Sequence, residues 1–141
     1  MQINMSLCLP RDELTVPVAR HICRHALDDL GVDEESKADI EVALSEACAN
    51  VLQHSGGNDQ YEVRLAVEDD VCVIRVVDTG RGFDSSNLLT AAPGDESGRG
   101  IELIKALVDK VKFESKPEVG TIVHLEKHLA FADDSVMHKL A

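Results

Sequence analysis

Asp78-Thr79-Gly80-Arg81-Gly82-Phe83 decides how this chain is read. The stretch follows an apolar run, Val71 to Val77, of the kind that forms a buried strand. Upstream, Glu46-Ala-Cys-Ala-Asn50 lies on a strong helical pattern. Downstream, Gly98-Arg99-Gly100 opens a further helix. Any one of these is common by itself. In this order and spacing they describe a nucleotide pocket: a carboxylate ending a strand, a polar row on a helix, and glycines that let backbone approach a ligand.

The composition is compatible with that reading. A chain of 141 residues forms one domain with one core. With three Phe, one Tyr and no Trp, the core must be built from Val, Leu, Ile and Ala. No apolar run reaches the roughly 18 residues that span a bilayer. The opening Met1-Gln-Ile-Asn-Met-Ser has no basic region of a signal peptide, so no membrane and a cytoplasmic location are expected. Cys8, Cys23, Cys48 and Cys72 are widely spaced and read as small core residues. A net charge of -12 argues against direct nucleic-acid binding, because phosphate backbones repel such a surface. It suits docking onto basic partner surfaces, and equally plain solubility.

Hydrophobic periodicity gives the element order. Ile3 to Leu9 alternates and reads as a first strand. A helix follows to Leu30 and Gly31, with Leu14, Val18, Ile22, Ala26 and Leu30 at helical spacing. Pro17 either falls in its first turn or kinks it. Asp33 caps a second helix that runs to about His54, with Ile40, Leu44, Ala47 and Val51 as its apolar row. Tyr61–Glu68 and Val71–Val77 form a hairpin around Asp69-Asp70, its second strand central. The long polar segment Asp84–Ser97, with little basic character, reads as a lid. A short helix spans Gly100 to about Asp109, then strands Val111–Glu114 and Thr121–Leu125. Strands segregate from helices, which implies an α+β two-layer sandwich. The expected domain is 1–127, with 128–141 as a tail.

The chemistry-bearing residues fall on these elements. Glu46, Asn50 and His54 recur every fourth position and form one row on the second helix. At roughly 100° per residue, that row flanks the apolar stripe and can face a cleft while the stripe grips the sheet. Asn50 offers a neutral oxygen to a hard cation such as Mg²⁺. Glu46 can take a proton from a hydroxyl or hold a water. Asp78 can accept a hydrogen bond from an adenine amino group. Gly80 and Gly82 permit tight turns, and Phe83 leads into the lid. Gly98 and Gly100 precede a helix, whose N-terminal amides attract phosphate, and Arg99 adds charge. Thr121 opens the last strand, where its hydroxyl can reach the base. No Gly-Lys-Ser/Thr is present, so this is not a P-loop.

Taken together, these residues resemble the GHKL ATPase superfamily, over nearly the whole chain. Glu46-Ala-Cys-Ala-Asn50-Val-Leu-Gln-His54 looks like its N box. Asp78-Thr-Gly-Arg-Gly82-Phe83 looks like the first glycine box, Ser97-Gly-Arg-Gly100-Ile101 the second, and Gly120-Thr121 the last. Within the superfamily the chain is similar to the small bacterial anti-sigma factor serine kinases. The resemblance implies the Bergerat ATP-binding fold, with a mixed, mostly antiparallel sheet covered by helices on one face. It implies ATP and Mg²⁺ as cofactors, with adenine at Asp78 and the cation at Asn50. His54, Gly80, Gly82, Phe83, Gly98, Arg99, Gly100, Ile101 and Thr121 complete the expected ATP site. Glu46 is the expected catalytic residue, acting on the serine hydroxyl of an anti-anti-sigma (STAS) protein. The protein then also sequesters a sigma factor, commonly as a homodimer, with Arg20 and Arg24 of the first helix as exposed partner-binding cations. An alternative is a nucleotide-gated adaptor with little kinase activity, or a kinase of a switch that involves no sigma factor.

Overall fold

The computed structural model describes residues 2–54, 60–78, 96–116 and 120–132. They form five strands and three helices: β1 (Gln2–Pro10), α1 (Thr15–Leu30), α2 (Glu34–His54), β2 (Gln60–Glu68), β3 (Val71–Asp78), α3 (Glu96–Leu107), β4 (Lys110–Lys116) and β5 (Gly120–His128). The strands make one sheet in the order β1-β2-β3-β5-β4. Each of the four pairings is antiparallel, so the sheet is antiparallel throughout where a mixed one was expected. β3 is central, as its apolar sequence implied.

Alternation in the strands builds the core. Tyr61, Val63, Leu65 and Val67 of β2 are buried on one face, with Cys72, Ile74 and Val76 of β3 and Val123 and Leu125 of β5. Against them lie Ile40, Leu44, Ala47 and Val51 of α2, the row that periodicity picked out. α2 packs on β3 and β5 and is flanked by α1 and α3. Burial pushes the Cys23 thiol up to about 11 and those of Cys48 and Cys72 to about 12. All three stay protonated at neutral pH and serve as small apolar fillers.

The helix ends follow local chemistry. α1 begins at Thr15, so Pro17 falls in the first turn, where a missing N–H leaves no bond unmade. The Thr15 hydroxyl lies 2.6 Å from the Asp12 carbonyl and 2.7 Å from the Tyr61 hydroxyl, pinning the helix start to β2. α1 stops at Gly31, whose φ of 81° is the left-handed conformation that glycine adopts without cost. At α2, the Ser36 amide donates to Asp33 Oδ1 at 2.9 Å, the cap anticipated for this residue.

Two expectations are corrected. The stripe Leu14, Val18 and Ile22 faces outward, 80%, 46% and 38% exposed. The buried face of α1 is Ala19, Cys23 and Leu27, one position further on, together with Leu30 of the expected row. Ala19, Cys23, Leu27 and Leu30 join the core packed around α2, which leaves Leu14, Val18 and Ile22 outside. α3 starts at Glu96, so Gly98 and Gly100 sit inside the helix rather than ahead of it. β5 runs to His128, and packing continues beyond it. Leu129 is buried, its amide bonds to the Asp70 carbonyl, and Phe131 bridges to Val32.

Hydrogen bonds from the Ser36 hydroxyl and then its amide hold the Asp33 carboxyl below the ordinary aspartate value. Its contribution is therefore present above that value and is lost as pH falls through the lowered one. Asp33→Ala should lower stability by about 1 kcal/mol at neutral pH, read by urea unfolding. The gap to wild type should narrow below pH ~4. A gap that ignores pH on the acid limb would assign the loss to something other than the carboxylate.

Candidate nucleotide and phosphotransfer site

α2 is the spine of the site. Its apolar row faces the sheet, and one flank turns Glu46 and Asn50 toward α3. Asn50 is 3% exposed, and its Nδ2 has no hydrogen-bond partner among the described residues. A buried amide proton left unmatched costs free energy unless something else binds it. Glu46 is half-buried beside it.

Gly100 supplies the facing wall. A Cβ built at that position would stand 3.0 Å from Glu46 Oε2 and 3.2 Å from Asn50 Nδ2. α3 can approach the Glu46–Asn50 row this closely because position 100 has no side chain. Three residues read separately from the sequence thus meet at one point. Ile101 follows Gly100, half-buried, and Ile104 is fully buried behind it.

The expected base end of the site lies at the sheet. Asp78 closes β3 and pairs in register with Thr121, the second residue of β5. Both are wholly buried on the helix-bearing face, so the carboxylate and the hydroxyl are cross-strand neighbours. Sequence reasoning missed Arg11. From the β1–α1 connection its Nη1 reaches to 3.3 Å from Asp78 Oδ2, and its Nη2 donates to the Leu52 carbonyl at 2.7 Å. The signal was slight: one cation directly after Pro10, at the end of a strand whose partner ends near Asp78 in space.

Gly80, Gly82 and Phe83 lie outside the described residues, as does the expected lid through residue 95. The side chains of His54 and Arg99 also lie outside. The partner-binding cations divide. Arg20 lines a groove of about 350 Å³ between α1 and α2, together with His21, Glu41, Val42, Ser45 and Glu46. Arg24 is not the free cation expected. Its guanidinium bonds Glu41 at 2.7 Å and Glu34 at 2.6 Å, which ties α1 to α2 and raises its pKa further. Lys37 extends this network to Asp28 and Glu34. A larger hollow, about 800 Å³, lies on the outer face of the sheet around Arg64, Val73 and Arg75, and none of the expected site residues lines it. Among the described residues no helix is long and apolar enough to cross a membrane.

Comparison with known proteins agrees with this geometry. The model of the histidine kinase-like ATPase domain matches residues 9–127. The chain is 31% identical over 111 residues to an anti-sigma F factor of Geobacillus thermodenitrificans, covering 72% of this chain and 75% of that protein. It is 28% identical over 134 residues to the serine-protein kinase RsbW of Bacillus velezensis, covering 86% and 82%. Among solved structures, that of the RsbU and RsbW domains of Rv1364c from Mycobacterium tuberculosis superimposes with a TM-score of 0.72 at 22% identity. It covers 95% of this chain and 34% of that one, and supports the fold. A five-stranded sheet carrying its helices on one face, with Glu46, Asn50 and Gly100 converging on one flank, places this chain in the histidine kinase-like (GHKL) ATPase family, in its branch of bacterial anti-sigma factor serine kinases.

Proposed function

We propose that this protein is an ATP-dependent serine/threonine kinase and anti-sigma factor of the cytoplasm, which phosphorylates a STAS-domain antagonist and in its other state holds a sigma factor. The observation that carries the reading is the convergence at Gly100. The missing Cβ leaves room against Glu46 Oε2 and Asn50 Nδ2, and that amide has no partner of its own among the described residues.

The residues present fit a nucleotide with its cation. Asp78 accepts a hydrogen bond from a purine amino group, with Thr121 beside it. Gly100 brings the start of α3 close to the flank of α2, where helix amides favour phosphate. Asn50 offers an amide donor and a neutral oxygen; the oxygen suits Mg²⁺, which supplies neutralisation of phosphate charge. Glu46, at the edge of the groove that also holds Arg20, orients the client serine and takes its proton as the oxygen attacks the terminal phosphorus. ADP is the leaving group. Positioning and electrostatics account for most of the rate in such transfers.

Partner recognition is assigned to the outer face of α1. Leu14, Val18 and Ile22 form an exposed apolar row there, and this face carries partner or homodimer contacts, while Arg20 lies on the other flank of α1 in the groove with Glu46. A net charge of -12 favours a basic partner surface. Phosphate added to the antagonist is repelled by the same acidity, which releases it and frees the kinase for the sigma factor.

Incubation with labelled ATP and a STAS-domain protein should transfer phosphate to a serine of that protein. Glu46→Ala should abolish transfer while ATP affinity is kept; unchanged transfer would remove Glu46 from the reaction. Asn50→Ala should lose Mg-dependent ATP binding. Without nucleotide it should resist urea as well as wild type or better, by up to ~1 kcal/mol, since an unmatched buried amide disappears and Ala favours the helix. Equal ATP affinity of the wild type with and without Mg²⁺ would count against that role. Gly100→Ala should keep its helix by circular dichroism yet bind ATP at least ~10-fold more weakly, because the new methyl crowds Glu46 and Asn50.

A further inference from the structure

Arg11 belongs to none of the boxes that define the nucleotide site, yet it touches the carboxylate at its base end. Its side chain is 15% exposed and that of Asp78 is 0% exposed. Two contacts fix the guanidinium. Nη2 donates to the Leu52 carbonyl at 2.7 Å, one of the final carbonyls of α2 that lie beyond the reach of the helix's own amides. Nη1 stands 3.3 Å from Asp78 Oδ2. Arg11 therefore spans from the end of α2 to the end of β3, the two elements that carry Asn50 and Asp78.

A helix C-cap accounts for the first contact alone. A cation at a helix C-terminus is favourable whatever lies beyond it. The second contact does something different. A carboxylate taken fully out of water is expensive to keep charged, and a planar guanidinium beside it offsets that cost and limits its rotation. Buried ion pairs of this kind add little net stability over an apolar replacement, so stability gives a weak reason for the pair. A ligand gives a stronger one. An amino group seeking an acceptor gains most from a carboxylate that is ionised and already aimed.

We propose that Arg11 is a positioning residue of the nucleotide site: it holds the Asp78 carboxylate oriented to accept the 6-amino group of adenine, and so sets the preference for that base. The proposal rests on the nucleotide reading given above. It assigns to the β1–α1 connection a share in base selection that the glycine boxes do not contain.

The probes are ATP and purine riboside triphosphate, which differ only in the 6-amino group, each titrated calorimetrically into the full chain. Wild type should prefer ATP. Arg11→Ala should weaken ATP by roughly tenfold or more, the scale of a charge-assisted hydrogen bond, and leave the affinity for purine riboside triphosphate within about twofold. Arg11→Gln, which retains a donor for Leu52 without the charge, should behave like Arg11→Ala and covers the case in which the alanine variant fails to fold. Arg11→Lys should restore part of the preference. Equal weakening of both nucleotides would make Arg11 a structural brace and overturn the proposal, as would no change in either. If Asp78→Asn abolishes the preference while Arg11→Ala and Arg11→Gln keep it, only the role of Arg11 falls. If wild type binds neither nucleotide, or if Asp78→Asn leaves the preference intact, the base-site reading itself falls and this proposal with it.

Discussion

Helix α2 has to satisfy two neighbours with one set of side chains, and the geometry of the α-helix is what allows it. Successive residues turn by roughly 100°, so a row at every fourth position drifts slowly around the axis. Ile40, Leu44, Ala47 and Val51 meet the sheet. Glu46 and Asn50, on the adjacent flank, are carried to the seam with α3, Asn50 buried and Glu46 half-buried. A polar pair placed there is held as firmly as the core beside it. The seam can close because Gly100 contributes no Cβ to it. A larger residue would force the helices apart or the two polar side chains away, and either change moves the site and the packing together.

Charge is managed locally in a chain that is acidic overall. Cations are few, and several of the described ones are committed. Arg24 and Lys37 tie α1 to α2 through Glu41, Glu34 and Asp28. Lys127 reaches the Leu107 carbonyl near the end of α3 and the carboxylate of Asp39 on α2. Arg11 lies against Asp78, the most deeply buried carboxylate among the described residues. Arg20 differs in lying beside Glu46 in a surface groove. A protein built this way can present a negative outer surface and still offer positive charge at chosen points.

The apolar face of α1 shows where periodicity has its limit. Leu14, Val18 and Ile22 recur as a core stripe would, and so do Ala19, Cys23 and Leu27, one step around the helix. A pattern of spacing does not say which of two adjacent stripes meets the neighbouring helix. Packing against α2 takes up the row of Ala19, Cys23 and Leu27, and the other row is left for a surface. The start of α3 shows the same limit: glycines discourage a helix locally, yet the helix already spans Glu96–Gly100.

Strand alternation, the N-cap at Asp33, the apolar row of α2 and the central place of β3 were legible from residue order alone, because they depend on near neighbours and on the two fixed periods of secondary structure. The box residues Glu46, Asn50, Asp78, Gly100 and Thr121 could likewise be picked out one by one. Tertiary structure decided which of them meet. Asp78 and Thr121 become neighbours through a strand pairing of 43 positions' separation in the chain, and Gly100 reaches Glu46 and Asn50 across a helix seam. It also recruited Arg11, whose reach to Leu52 and Asp78 no spacing rule contains. Contacts between distant segments are set by how whole elements pack, and that information is spread over the core rather than written at either end of the contact.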